Sequence, residues 1–227
     1  MIEICKGLIF NDSCKSLVNT VNCDGFMGKG IALEFKLRFP KMFNQYKEDC
    51  KNNLIKIGKI RSYEENGFTI YNFPTKDFYK MPSEIDYVVR GLKDLSKIIT
   101  DRDLKCISMP FLGTHNGGLN QSEVLDIMRS QLSSVNSLIK IYDFDSNIMD
   151  NTIISLKQKL ESEEDLVLGL TEEQSDQILK LINQNNLRRL SDLKKIKGIG
   201  DSGISKIYAA LRENDIKDIN ESQLKLF

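Results

Sequence analysis

Apolar residues recur in two different rhythms along the chain, and the rhythm changes near residue 145. Before that point, short apolar runs predict β-strands and amphipathic stretches predict helices. The predicted strands span residues 2–5, 17–21, 59–63, 68–73, 106–110 and 139–144, and the predicted helices span 31–39, 41–52, 83–100 and 122–133. This alternation predicts an α/β fold in which helices cover both faces of a sheet.

The second half of the chain has only helical periodicity. Residues 146–154 are mostly polar and predict a linker. Apolar residues then recur at helical spacing, as in Leu187, Leu190 and Leu193, and no segment has the pattern of a strand. The pattern predicts an α/β domain over 1–145, a linker over 146–154 and a small all-helical domain over 155–227.

Composition narrows the class of protein. The 227 residues are 41% hydrophobic and 28% charged, with 32 basic and 32 acidic side chains, which excludes a strongly basic nucleic-acid binder as a description of the whole chain. No apolar run reaches the ~20 residues needed to cross a bilayer. Residues 1–4 do not begin a secretory signal, so we expect a cytoplasmic protein without a membrane contact.

The cysteines and other potential ligands predict no metal or cofactor. Five cysteines are scattered without CxxC spacing, which predicts reduced thiols and neither a disulfide framework nor a zinc site. No cluster of His, Asp or Glu has the spacing of metal ligands. We therefore expect chemistry that uses protein side chains alone.

Two glycine-rich segments each follow a predicted strand and precede a predicted helix. The first contains Gly28 and Gly30, and the second, residues 113–118, has three glycines in six residues. A single such segment is equally consistent with a simple strand-to-helix turn. Two of them at strand ends favour a site where backbone N–H groups hold both sides of a diphosphate.

The motifs of these segments resemble those of the macrodomain family. VNTVN, MGKGIALEFKLRFP, NFPTK and MPFLGTHNGGL occur in the family's order over residues 1–143. They are most similar to the branch of DarG-type DNA ADP-ribosyl glycohydrolases, which remove ADP-ribose from thymidine in DNA. The resemblance implies a three-layer α/β/α mixed sheet that binds ADP-ribose or ADP-ribosylated DNA and hydrolyses the N-glycosidic bond.

The resemblance also assigns roles to individual residues. It implies that Lys76 is catalytic and that Asn22 lies against the distal ribose and presents it to Lys76. The implied ADP-ribose-binding residues are Leu8, Ile9, Asn22, Gly28, Lys29, Gly30, Ile31, Gly113, Thr114, His115, Asn116, Gly117 and Gly118.

Three positions depart from the family's patterns. Leu8 stands where many members have an aspartate that holds the adenine amino group, which leaves adenine selectivity to a backbone contact at Leu8 or Ile9. Gly117 stands where the related animal enzyme has a catalytic aspartate. His115 replaces a glycine of the second loop and either donates to the phosphate or crowds it.

Lys76 is open to two interpretations. As a neutral amine it can attack the anomeric carbon and form a Schiff base, which requires a lowered pKa. As a cation it can bind phosphate. Phe78 and Tyr79 follow it and either stack on a substrate base or close the core.

Residues 190–207 resemble a helix-hairpin-helix module. Its Gly198 and Gly200 allow a tight hairpin, and the following helix start can hold a DNA phosphate. The predicted DNA-binding residues are Lys195, Lys197, Gly198, Gly200 and Lys206. The alternative is a purely structural αα-hairpin, because residues 151–227 carry 12 Lys and Arg against 13 Asp and Glu.

The sequence therefore predicts an ADP-ribosyl hydrolase that acts on a DNA base and holds DNA through its helical domain. Two alternatives stay open: a reader that binds ADP-ribose or another NAD-derived nucleotide without turnover, and a hydrolase of ADP-ribosylated protein. The resemblance also allows an antitoxin-like role with a toxin partner, but no segment of the chain supports one.

Overall fold

The structure is a computed structural model that describes residues 1–162 and 168–224, with side chains up to Arg212. The chain forms two compact units, residues 1–145 and 146–227. Residues 163–167 and 225–227 of the predicted helical domain lie outside the described residues.

The first unit is built on a six-stranded mixed sheet. Its strands are β1 (Ile2–Gly7), β2 (Ser16–Asn22), β3 (Arg61–Glu65), β4 (Phe68–Lys76), β5 (Cys106–Pro110) and β6 (Leu138–Phe144). They lie in the order β1-β6-β5-β2-β4-β3, and only β3 is antiparallel to its neighbour. All six strands match the predicted ones, although β4 runs three residues further and ends at Lys76.

Helices cover both faces of this sheet, as the alternating pattern predicted. They are α1 (Gly30–Arg38), α2 (Pro40–Lys51), α3 (Ile85–Asp101) and α4 (Gln121–Leu132). Side chains of β2 alternate between two cores: Leu17 packs with residues of α1 and α2, and Val18 packs with residues of α3 and α4. This period of two places apolar residues on both faces of a central strand, and the three-layer α/β/α class is confirmed.

Among its described residues, the second unit contains helices and no strand. Its helices are α5 (Asn151–Glu161), α6 (Glu172–Asn183) and α7 (Asp201–Leu224), with a 3₁₀ segment at Leu190–Lys195. Helix α5 begins inside the predicted linker, so the linker boundary at 154 is wrong. The reason is local, because the Asp150 side chain caps the helix through the Thr152 N–H at 2.9 Å and Ile153 is buried.

Two of the cysteines lie side by side in the fold. Cys14, just before β2, and Cys106, the first residue of β5, have their Cα atoms 5.8 Å apart, a distance that a disulfide can span. The pair is separated by 92 residues in sequence, so spacing alone could not reveal it. Among the described helices, none is long and apolar enough to span a membrane.

Candidate active site

The predicted ligand-binding residues of the first unit gather at one edge of the sheet. Five strands run parallel, so the segments that follow them meet at the carboxyl edge. Along that edge, in spatial order, lie Leu8 after β1, Phe144 at the end of β6, the 113–118 loop after β5, Asn22 at the end of β2 and Lys76 at the end of β4. At about 4.8 Å per strand, this edge extends ~19 Å from β1 to β4.

Asn22 and Lys76 lie directly opposite each other on neighbouring strands. The register between β2 and β4 shifts by one residue after Val21, and the shift pairs Asn22 with Lys76. Such an irregularity changes where a strand-end side chain points. The two residues assigned to catalysis are therefore neighbours. The same two strands are also joined by a side-chain hydrogen bond from Asn19 to Asn72, which are 53 positions apart in sequence.

The Asn22 side chain holds the loop that follows it. Its amide nitrogen donates to the Phe26 carbonyl at 2.6 Å, and its oxygen accepts from the N–H groups of Asp24 and Phe26. The Tyr46 hydroxyl of α2 donates to the same oxygen at 2.9 Å. Tyr46 is buried, and burial raises the pKa of its phenol well above the usual range, so it stays a donor.

Lys76 contacts the second glycine loop. Its Nζ donates to the Asn116 carbonyl at 2.6 Å. Partial burial lowers the pKa of the Lys76 amine, and the positive charge of Lys29 lowers it further. Both effects favour the neutral amine that a nucleophile requires.

The two glycine loops meet at Asn116. Gly30 has φ of +60°, and a Cβ there would lie 2.5 Å from the Asn116 amide nitrogen. The dihedral angle favours glycine, and the short distance shows how closely Asn116 approaches the first loop. Lys76, the first loop and the second loop therefore share one contact residue.

The second loop is packed against Ser83, which the sequence predicted only as the start of a helix. The Ser83 N–H donates to the Gly117 carbonyl at 2.9 Å, and a Cβ on Gly117 would overlap the Ser83 hydroxyl. Ser83 is buried, and its hydroxyl has no hydrogen-bond partner in the part of the chain that the structure describes. The loop's shape thus depends on a residue 34 positions before Gly117.

The β1–β6 side of the edge has a different character. The side chains of Leu8 and Ile9 are buried, so only their backbone can reach a ligand. His115 is exposed, contacts the Thr114 hydroxyl at 3.2 Å through Nδ1, and lies edge-on to Phe144 with ring centroids 6.3 Å apart. Phe144 is 41% exposed and pairs with Gly7 in the sheet register. An aromatic residue ending the last strand is the only sequence signal that could have identified it.

Cys23 lies next to Asn22 but is not suited to nucleophilic attack. Burial, followed by the charge of Asp77, raises the pKa of its thiol to about 12. A thiol with so high a pKa carries almost no thiolate near neutral pH.

The predicted DNA-binding residues belong to the second unit. Gly198 has φ of +86° and turns the chain between the 3₁₀ segment and α7. Lys195 bonds the Asn186 carbonyl at 2.6 Å and the Asp192 carboxylate at 3.0 Å. Lys197, Gly200 and Lys206 are exposed. The segment before the hairpin is a 3₁₀ turn instead of the α-helix that a helix-hairpin-helix motif has.

Comparison with known proteins identifies the family to which the chain belongs. The family model described as Macro domain matches residues 18–128. The solved macrodomain of Thermus aquaticus DarG is 36% identical, with a TM-score of 0.60, over 63% of this chain and 98% of that one. The chain belongs to the macrodomain family.

Other macrodomain proteins extend the comparison. The Thermus aquaticus protein named DNA ADP-ribosyl glycohydrolase is 35% identical over 164 residues, which are 70% of this chain and 46% of that protein. Thermosipho africanus DarTG, solved in complex with ADP-ribose, is 27% identical with a TM-score of 0.58, over 63% of this chain and 42% of that one. The chain spans about half the length of these relatives.

Proposed function

We propose that this macrodomain protein removes ADP-ribose from a modified thymidine base in DNA. The observation that carries the proposal is the contact of Lys76 Nζ with Asn116, where both glycine loops meet. It places an amine with a lowered pKa beside the segments suited to a diphosphate. Relatives with 35–39% identity are named DNA ADP-ribosyl glycohydrolases, which supports the choice of substrate.

Under this proposal, ADP-ribose lies along the carboxyl edge with its adenine at the β1–β6 end and its distal ribose at the β2–β4 end. The diphosphate occupies the 28–31 and 113–118 loops, with the adenine towards Leu8, Ile9 and Phe144. The distal ribose lies between Asn22 and Lys76. One amide proton of Asn22 has no acceptor among the residues described, and it can hold a ribose hydroxyl so that the anomeric carbon faces Lys76.

The reaction then proceeds through the lysine nitrogen. The neutral amine attacks the anomeric carbon, the bond from that carbon to the base nitrogen breaks, and the base takes up the proton that the lysine loses. The ribose ring opens to a Schiff base. Water adds to the imine and releases ADP-ribose and the neutral amine. Lysine carries this step because Gly117 offers no acid to activate water.

DNA binding through Lys197, Gly198, Gly200 and Lys206 is a second part of the proposal. A module that holds DNA would raise the local concentration of modified bases at Lys76. Asp201 opens α7 and pairs with Lys194 at 2.6 Å, so an acid already lies at the helix start. We therefore expect weak binding with a small salt dependence.

The decisive experiment uses two substrates with the full chain. An oligonucleotide carrying ADP-ribosylated thymidine and a protein carrying ADP-ribose on acidic side chains are incubated separately, and released ADP-ribose is measured by mass spectrometry. We expect release from the oligonucleotide and a borohydride-trapped adduct on Lys76. Release from the modified protein alone would show that the substrate is ADP-ribosylated protein and not ADP-ribosylated DNA. Binding of ADP-ribose with release from neither would make the chain a reader.

A further inference from the structure

Tyr46 of α2 holds Asn22 at two places with one hydroxyl group. The hydroxyl oxygen lies 2.8 Å from the Asn22 main-chain oxygen and 2.9 Å from its side-chain oxygen, so one proton is shared between two acceptors. The side chain of Tyr46 is completely buried in the core that α1 and α2 form with the sheet. A hydroxyl in that position has no bulk water to bond instead, so these acceptors fix its direction.

The pairing of β2 with β4 shifts at the residue that Tyr46 holds. Asn22 pairs with Lys76, whereas the residue before it pairs with Pro74, and Thr75 is left as the extra residue of β4. Proline has no N–H to give to a strand ladder, so within sheets it occurs at edges and bulges. Pro74 therefore explains why the shift falls here, and the Tyr46 hydroxyl holds the Asn22 carbonyl immediately after it.

Cys50, one turn further along α2, does not compete for the hydroxyl proton. Its thiol lies within hydrogen-bond reach of the Tyr46 hydroxyl, and burial raises the pKa of the thiol to about 11. The thiol therefore keeps its proton near neutral pH and can donate to the phenol oxygen. The loop after Asn22 also packs on this turn of α2, because a Cβ on Gly25 would lie 3.5 Å from the Cys50 Cβ. Helix α2 thus supports both Asn22 and its loop.

These contacts determine which end of the Asn22 amide meets a ligand. The amide oxygen accepts from Tyr46 and from two backbone N–H groups, so the amide nitrogen is the end left for a ribose hydroxyl. We infer that Tyr46 is a positioning residue for the lysine reaction, whose hydroxyl sets the orientation of the Asn22 amide and its place opposite Lys76. Tyr46 is buried, so it acts through Asn22 and not on the substrate. The inference rests on the proposed function, in which Asn22 presents the distal ribose to Lys76.

Tyr46→Phe tests the inference in the full chain, because it keeps the ring in the core and removes only the hydroxyl. We expect kcat for release of ADP-ribose from the ADP-ribosylated oligonucleotide to fall at least about tenfold, since small displacements of the reacting groups are costly. KM and the Kd for free ADP-ribose should stay within about twofold, because the two glycine loops are unchanged. The rising limb of the kcat profile should stay at its native pH, because Lys76 keeps its bond to Asn116.

Tyr63→Phe is the matched control. Tyr63 is buried in the same core, and its hydroxyl donates to the Asp49 carboxylate at 2.7 Å. Both variants should lower the midpoint of thermal unfolding, because each loses a buried hydrogen bond, but only Tyr46→Phe should slow the reaction. Native kcat in Tyr46→Phe, or an equal loss of kcat in Tyr63→Phe, would overturn the inference.

Nuclear magnetic resonance separates this inference from the proposed function. The side-chain amide signals of Asn22, assigned by their absence in Asn22→Ser, should shift in proton–nitrogen correlation spectra of Tyr46→Phe and stay in place in Tyr63→Phe. If the native protein releases no ADP-ribose and these signals shift as expected, the positioning role stands and the proposed hydrolase is wrong. Signals that stay in place in Tyr46→Phe would overturn the inference whether or not the native protein is a hydrolase.

Discussion

The two ends of the carboxyl edge differ in how their side chains are held. At the β2–β4 end, Asn22 and Lys76 are tied to neighbouring loops by hydrogen bonds of 2.6 Å. At the β1–β6 end, Leu8 is buried and Phe144 presents an exposed ring beside His115. One end orders polar groups that can act on a bond, and the other offers an exposed aromatic ring.

This difference indicates a division of labour along one ligand. Chemistry requires groups held within a fraction of an ångström of the reacting atoms. Recognition of a base needs only a ring at the right distance, and stacking tolerates small shifts. The Leu8 position has no acid to select adenine, so we expect this protein to bind the base chiefly by stacking on Phe144.

The largest expected effect is at the lysine end. Lys76→Ala should reduce release of ADP-ribose from DNA at least about a thousandfold, because the proposed reaction uses the Lys76 amine as its nucleophile. Affinity for ADP-ribose should stay within about tenfold, or ~1.4 kcal/mol. Single-turnover rates and calorimetry measure the two quantities. Lys76→Arg keeps the charge, and near-normal turnover in that variant would show that Lys76 acts only as a cation.

The next effect is at the loop that joins the two ends. Gly117→Ala should destabilise the protein by about 1–3 kcal/mol and weaken ADP-ribose binding, because the added Cβ overlaps Ser83. Thermal unfolding measures the first change and calorimetry the second. The double variant Gly117→Ala with Ser83→Gly removes the overlapping atoms and should recover stability. No recovery would mean that Ser83 does not set the shape of this loop.

A smaller effect is expected at the base end. Phe144→Ala should weaken ADP-ribose affinity about tenfold and leave kcat unchanged, because a stacked base contributes about 1–3 kcal/mol. Phe144→Tyr should keep the affinity. Ile4→Ala, at an exposed side chain of β1, is the control. A fall in kcat with unchanged affinity would contradict the division between the two ends.

The smallest effect concerns pH. Lys76 must be neutral to attack, so activity should rise as pH passes through its pKa, and the Lys29 charge lowers that pKa. Lys29→Gln removes this charge and should move the rising limb of the kcat profile to higher pH. Lys93→Gln, at an exposed lysine of α3, makes the same change in net charge and should leave the profile in place. If the profile of Lys29→Gln does not move, the charge of Lys29 does not lower the pKa of the Lys76 amine.

The order of strands and helices in the first unit was readable from sequence because burial on a sheet or a helix imposes a period on the apolar residues. The glycine loops were predictable from the sequence because their motifs occur in the same order as in the macrodomain family. The helix start at Asn151 was missed, since the polar residues around Asp150 are typical of both a linker and a helix cap.

Other features had no local signal. Tyr46 holds Asn22 from a helix 24 residues away, and Ser83 packs under Gly117 from a different segment. The neighbouring Cys14 and Cys106 are 92 positions apart in sequence. Each depends on which strands become neighbours, which periodicity does not encode.

The sequence by itself determined the α/β class of the first unit, because local backbone preferences and the burial of apolar faces are written in short segments. Its motifs, through their resemblance to the macrodomain family, pointed to the glycine loops and to Lys76. Only the tertiary structure decided that Asn22 faces Lys76 and that Lys76 contacts Asn116. It also decided that the Tyr79 ring lies against the rings of Phe26 and Phe78. These contacts arise from the strand order and from one register shift between β2 and β4, and long-range packing sets both.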